Sequence, residues 1–464
     1  MKVHRVKRFV LVSAGLAVPA ALSAQAFGLN EIGSCAVGRA FAATASPCRD
    51  ASTIFWNSAA ATQLTGWNVT AGAAAVSLQG SFKEDTTRKV FESNVPTEYI
   101  PHAFVNYHKA NTKLAYGLGV YVPYGLTTQW NNDFPGRFVA LRASLRTVYV
   151  QPNIAWQINS KWSVGGGPIW GHSSVELTQA VDLSTQQPLP GVTFANLGIA
   201  RGTEFARAKL EGSATAFGAQ IAVLGQPARG WNVGLRFLTP LEFKYDDADA
   251  SFSQVFTGLI VGGTLPGTPF QAGTPIDSIV APQFRSGGLL VPQNASTKIT
   301  HPAQIQGGVA YSGWKNWLFE ADVAWVGWKR FKELPLDFSG SNALDRVLIE
   351  DYNNSTAFRL AAEYTIPTDG WTLRTGYSGV ASAAPDETVT PLLPEQDRAY
   401  WTFGASIPFG KTFALDAGYA HVFTPGARGR IVERLSREQT AAQLNTGVYS
   451  LTANVISLSV KASF

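Results

Sequence analysis

The chain is poor in charge, poor in cysteine and, past its first residues, without a long apolar run. Asp, Glu, Lys and Arg make up only 15% of 464 residues, against the ~25% usual for soluble domains. That fits an ordinary cytosolic enzyme badly. After Ala26 no stretch approaches the ~18 uninterrupted apolar residues of a spanning helix, which argues against a helical membrane protein. Gly-x-Ser-x-Gly and His-Glu-x-x-His are both absent, so neither a hydrolase elbow nor a zinc-protease helix is present. His102, His108, His172, His301 and His421 lack a serine–acid neighbourhood, and no catalytic residue is assigned. His102 and His108 share one strand face, but two histidines do not make a metal site. No Pro/Ser-rich linker divides the chain.

The only cysteines are Cys35 and Cys48. In an exported chain a disulfide closing this short loop is expected, the alternative being two unpaired buried thiols. Without nearby histidine they do not form a zinc site. The net charge of +5 includes Lys2, Arg5, Lys7 and Arg8, so the remainder is close to neutral and nucleic acid is not an expected partner.

What is present begins with an export signal. A charged start, an apolar run from Phe9 to about Ala21 and Ala24-Gln25-Ala26 predict cleavage after Ala26. The far end is equally informative. Ile456, Leu458, Val460, Ala462 and Phe464 alternate with Ser457, Ser459, Lys461 and Ser463, the period of a strand with one apolar face. The pattern recurs. Fourteen strands are predicted near 66–81, 99–110, 112–130, 142–159, 161–178, 206–226, 229–249, 296–313, 316–333, 355–367, 370–380, 397–409, 411–424 and 447–464. Their connections alternate short and long, and Trp67, Trp162, Trp231, Trp314, Trp317 and Trp371 cluster at the short turns. Sorted loops and an aromatic girdle predict an all-β, 14-stranded antiparallel transmembrane barrel in the outer membrane of a Gram-negative bacterium. A charge facing lipid at midplane costs ~2–4 kcal/mol. Glu320, Asp322, Arg359, Glu363, Arg374, Arg398 and Asp416 therefore face the lumen, where paired ladders bracing the wall are the expected role.

Residues 27–65 read as apolar pieces broken by polar turns, a segment of the size to plug the lumen. The domains expected are signal 1–26, hatch 27–65 and barrel 66–464. Pro123-Tyr124-Gly125 falls within the third strand. Proline cannot donate to a ladder and glycine marks bulges, so a break in pairing is expected there. The loop 250–295 is unusually apolar, with Phe256, Leu259, Ile260, Val261, Leu265, Phe270, Leu289 and Leu290. Together with Leu189 and its neighbours in 179–205 it is read as a groove that captures ligand.

Gly28-Leu29-Asn30-Glu31, Gly38-Arg39-Ala40-Phe41, Phe55-Trp56-Asn57-Ser58-Ala59, Tyr124-Gly125-Leu126-Thr127-Thr128 and Pro394-Glu395-Gln396-Asp397-Arg398 resemble the FadL/TodX family of outer-membrane hydrophobic-compound transporters. The resemblance implies a passive importer of long-chain fatty acids or aromatic hydrocarbons. Ligand would be captured by extracellular loops, held in a lumenal pocket and released sideways beside the kinked third strand. Two departures stand out. Asn57-Ser58-Ala59 replaces the family's Asn-Pro-Ala, which leaves the hatch turn less rigid and weakens its expected contact with the third strand. The family's carboxylate-binding arginine aligns with Ser174. The partners implied are a hydrophobic small molecule and outer-membrane lipid, the state a monomer, and no cofactor or metal is expected. A general diffusion porin is the competing function.

Overall fold

The computed structural model describes residues 26–187, 190–264, 269–434 and 445–464. Residues 1–25 of the expected signal 1–26 lie outside the described residues, as do Leu189 and Leu265. Fourteen wall strands follow one another. They are β1 (Gly66–Glu84), β2 (Glu98–His108), β3 (Leu114–Gln129), β4 (Arg142–Gln157), β5 (Trp162–Asp182), β6 (Glu204–Ala228), β7 (Trp231–Leu238 with Leu241–Gln254), β8 (Gln293–His301 with Gln304–Tyr311), β9 (Trp317–Val326), β10 (Ser355–Thr365), β11 (Thr372–Val380), β12 (Arg398–Phe409), β13 (Phe413–Phe423) and β14 (Gly447–Ser463). Each is antiparallel to the next. β14 closes on β1 in register from Asn68↔Ser463 to Glu84↔Gly447, so the sheet has no free edge there.

The faces are inverted relative to a soluble protein. In β14, Ile456 is 58% exposed and Ser457 fully buried. Apolar side chains point out because lipid, not water, lies there. The six rim tryptophans are all exposed, where an amphipathic ring suits the interface.

Three strands differ from the sequence reading, which ran them unbroken. β7 is interrupted at Thr239-Pro240 and β8 at Pro302-Ala303, since proline removes a ladder donor. β9 stops at Val326 instead of reaching 333, and the chain turns inward so that Trp328 is fully buried. In the long connection beyond it, Glu333–Phe338 pairs with Arg346–Ile349.

Residues 26–64 fill the lumen with short helical turns, Ser34–Gly38, Thr53–Trp56 and Ser58–Gln63. A disulfide joins Cys35 to Cys48. Phe27, Phe41, Phe55 and Trp56 are enclosed with wall aromatics that include Tyr121, Tyr124, Tyr149 and Tyr400.

Candidate functional site

The ladder between β2 and β3 runs only from His108↔Ala115 to His102↔Tyr121. Beyond it lies Pro123, and the pairing of β3 with β4 slips between Tyr121 and Tyr124. The backbone exposed by this break is not left bare. Leu29 N donates to Pro123 O at 2.8 Å, and Gly125 N donates to Phe27 O at 3.0 Å. The first hatch residues thus complete the broken strand from the lumenal side. Gly125 leaves room for Leu29, since a Cβ there would sit 2.9 Å from Leu29 Cδ1 and the leucine would have to shift. Tyr124 is held inward, stacked on His301 at 4.0 Å and bonded to Pro302 O and Gln304 Nε2.

A cavity of about 380 Å³ lies beside the break. Its wall side is formed by Tyr99, Ile100 and Pro101 of β2, Val122 and Leu126 of β3, and Val148 of β4. Tyr99 and Val148 are also exposed on the outer surface, 71% and 36%, so the cavity reaches the lipid face. The hatch side is Ala26, Gly28, Leu29 and Glu31. A polar end gathers Glu31, Glu395, Arg398 and Tyr400. There Arg398 Nη2 meets Glu395 Oε2 at 2.7 Å, and Ala26 N donates to Glu395 Oε1 at 2.6 Å. Burial raises the carboxyl groups of Glu31 and Glu395 above the ordinary range. Two arginines line the cavity: Arg398 is paired with Glu395, and Arg146, 3.5 Å from Glu98, is largely exposed, while most of the lining is apolar, a chemistry that accepts hydrophobic molecules.

The lumenal charges divide into two groups. Glu363, Arg374 and Asp416 form a wall ladder with Lys461, at 2.8, 3.4 and 3.1 Å. Glu320, Asp322 and Arg359 instead hold the hatch. Glu320 pairs with Arg39 and accepts from Ala45 N and Ser46 N. Asp322 accepts from Ala43 N and Thr44 N, both at 3.0 Å. Arg359 donates to Phe41 O and Asn30 Oδ1. The sequence reading, which made all of them wall braces, is corrected for these three. Their partners are mostly hatch backbone, which carries no residue-type signal.

Asn57 Nδ2 donates to Thr44 O and Val223 O, and Asn153 Nδ2 donates to Ser58 O. Gly165 makes room for Ser58, where a Cβ would lie 2.6 Å from its carbonyl carbon. This turn is bonded to β4 and β6 and packed on β5, while the backbone of the break in β3 is bonded by Phe27 and Leu29. Ser174 is also not the lumenal position. Ser173 is the fully buried one, bonded to Thr147 and Tyr245, and strand alternation turns Ser174 the other way.

Among the loop residues, Val261, Phe270 and Leu290 are buried with Leu183, Phe194, Ile276 and Val280 in a core of the loops' own. Phe256, Leu259, Ile260 and Leu289 remain exposed. Asp277 fixes the tip by accepting from Thr257 N and Gly258 N at 2.8 and 2.9 Å. The apolar run thus separates into a buried half that shapes the loop and an exposed half that faces solvent. Periodicity did not distinguish them.

Comparison with known proteins gives one consistent picture. A family model described as "Outer membrane protein transport protein (OMPP1/FadL/TodX)" matches residues 15–464. The long-chain fatty acid transport protein of Escherichia coli strain K12 is 23% identical over 443 residues, spanning 90% of this chain and 93% of that protein. A Pseudomonas aeruginosa FadL homologue superposes with a TM-score of 0.76 at 18% identity, covering 95% of this chain and all of the other. The P. putida toluene transporter TodX gives 0.66 at 15% identity, covering 95% and 99%.

Proposed function

Because this chain belongs to the OMPP1/FadL/TodX family of outer-membrane transport proteins and is not an enzyme, we propose that it is a passive importer of hydrophobic small molecules, with lateral release beside β3. The carrying observation is the cavity that runs from the hatch through the break between β2 and β3 to the lipid face. Ligand is first held by Phe256, Leu259, Ile260 and Leu289 at the loop surface, an exposed apolar cluster of the kind that marks a binding surface. It then passes to the cavity, whose lining suits fatty acids and aromatic hydrocarbons alike. Pro123, Tyr124 and Gly125 form the gate, and Phe27–Leu29 form its latch. The protein works as a monomer in outer-membrane lipid, and its hatch closes the lumen to ions.

The test is reconstitution in planar bilayers together with mass spectrometry of lipophilic molecules retained from a mixed pool of fatty acids and aromatic hydrocarbons. Near-zero conductance with selective retention is expected. A large steady ion current with no retention would overturn the reading in favour of a diffusion porin.

A further inference from the structure

Away from β3, on the lipid face of the wall, a groove of about 530 Å³ crosses β8 to β11. Its floor is made of small side chains. Ala321 on β9, Ala362 on β10 and Thr375 on β11 share the outward parity, and Ala362 lies in register with Thr375. Larger neighbours raise the two banks. Tyr311 and Phe319 stand nearer the short-turn rim, Leu360 and Trp401 farther from it. An apolar trough left empty forfeits contacts along its whole lining, so an acyl chain that fills it is held better than one on a flat wall.

Toward the rim the surface turns aromatic and then cationic. Trp231 lies 4.7 Å from Tyr311, Trp314 meets Phe319 edge-on at 5.5 Å, and Trp317 stacks on the same ring at 5.5 Å. Rings of this kind sit at the level of lipid headgroups. The two turns that carry these tryptophans touch. Ser312 N donates to Gly230 O at 2.7 Å, and a Cβ on Gly230 would lie 2.9 Å from Gly313 Cα. Arg229 stands on one turn and Lys315 on the other, both exposed and neither in an ion pair among the described residues. The remaining short turns have the same sign, with Lys109, Lys113, Lys161 and Lys411 against Asp369.

We propose that this sector binds one anionic phospholipid of the periplasmic leaflet, with its phosphate on Arg229 and Lys315 and an acyl chain in the groove over Ala321, Ala362 and Thr375. Charge decides the class of occupant. A second copy of this chain would bring its own cationic turns against these two. A zwitterionic lipid carries an ammonium beside its phosphate and answers them less well than a lipid with net negative charge. The site is separate from the ligand route and holds whether or not cargo leaves beside β3.

The experiment is native mass spectrometry of the full-length protein in mild detergent, titrated with dioleoylphosphatidylglycerol or with dioleoylphosphatidylethanolamine. The variants are R229Q/K315Q, the groove-filling A362F and the control K161Q/K411Q, all checked for heat-modifiable barrel mobility. Wild type should retain one phosphatidylglycerol in preference to the zwitterionic lipid. In R229Q/K315Q that affinity should fall roughly tenfold or more, the worth of two cations beside an anionic headgroup. A362F should also weaken it, and K161Q/K411Q should leave it unchanged. Equal affinity of wild type for the two lipids overturns the site. So does unchanged phosphatidylglycerol affinity in R229Q/K315Q or in A362F, and so does an equal fall in the control. A wild-type dimer that A362F dissociates would assign the face to a second copy and overturn the lipid. If A362F does not assemble, the two turn variants decide by the same outcomes.

Discussion

Arg39 in the hatch and Glu320 on β9 form an ion pair sealed inside the barrel, their side chains 2% and 0% exposed. It joins two parts of the chain separated by 281 positions, so it ties plug to wall. Replacing Glu320 with leucine leaves Arg39 buried and unpaired and also frees Ala45 N and Ser46 N. A loss of about 3 kcal/mol in hatch stability is expected. Single-channel recording should show ion conductance well above that of the wild type, for which almost none is expected.

At Gly125 a side chain would meet Leu29. Gly125→Leu should push Phe27–Leu29 off the broken strand and obstruct the cavity, a local overpacking worth about 1–3 kcal/mol. Uptake of a hydrophobic probe should fall by about an order of magnitude with barrel assembly intact. Unchanged uptake would rule out the route beside β3.

Glu350 lies in the connection before β10, where burial first and Glu433 second raise its carboxyl to about 8 from an ordinary 4.5. The folded state keeps the proton that the unfolded chain gives up near 4.5. Stability from this group is therefore complete below that pH and declines as pH rises toward about 8. Thermal unfolding followed between pH 5 and pH 8 should show the decline, and Glu350→Gln should flatten it and be the more stable protein at the alkaline end.

At the loop tip, the double substitution of Phe256 and Ile260 by serine removes exposed apolar area without touching the loop's buried core. Half-saturating ligand concentration in transport should rise roughly tenfold, with the maximal rate unchanged, because capture precedes the gate.

Cys35 and Cys48 close a loop with a sequence separation of 13. Serine at both positions should lower hatch stability by about 3 kcal/mol. Limited proteolysis should then reach the hatch while the barrel keeps its heat-modifiable mobility.

The barrel was legible because lipid imposes a strict alternation on every strand, and that alternation survives in residue type, as with Ile456 and Ser457. Pro123 and Gly125 marked the break for the same local reason. Their partner was not legible, since Phe27 and Leu29 meet β3 through backbone atoms that any residue carries. The division of the lumenal charges was hidden likewise. Alternation says that Asp322 and Glu363 point inward, but not that one meets peptide N–H groups and the other a guanidinium.

The hatch is seated on β14, the strand that closes on β1. Ser34 in the hatch bonds to Ser457 and Ser459 at 2.7 and 2.6 Å, so a segment ahead of the first wall strand is seated on the last one. Until β14 arrives, the plug lacks one of its walls and the cylinder is an open sheet with two unpaired margins. A chain cut short before β14 would lose the closing joint and the plug's seat on that strand in a single lesion.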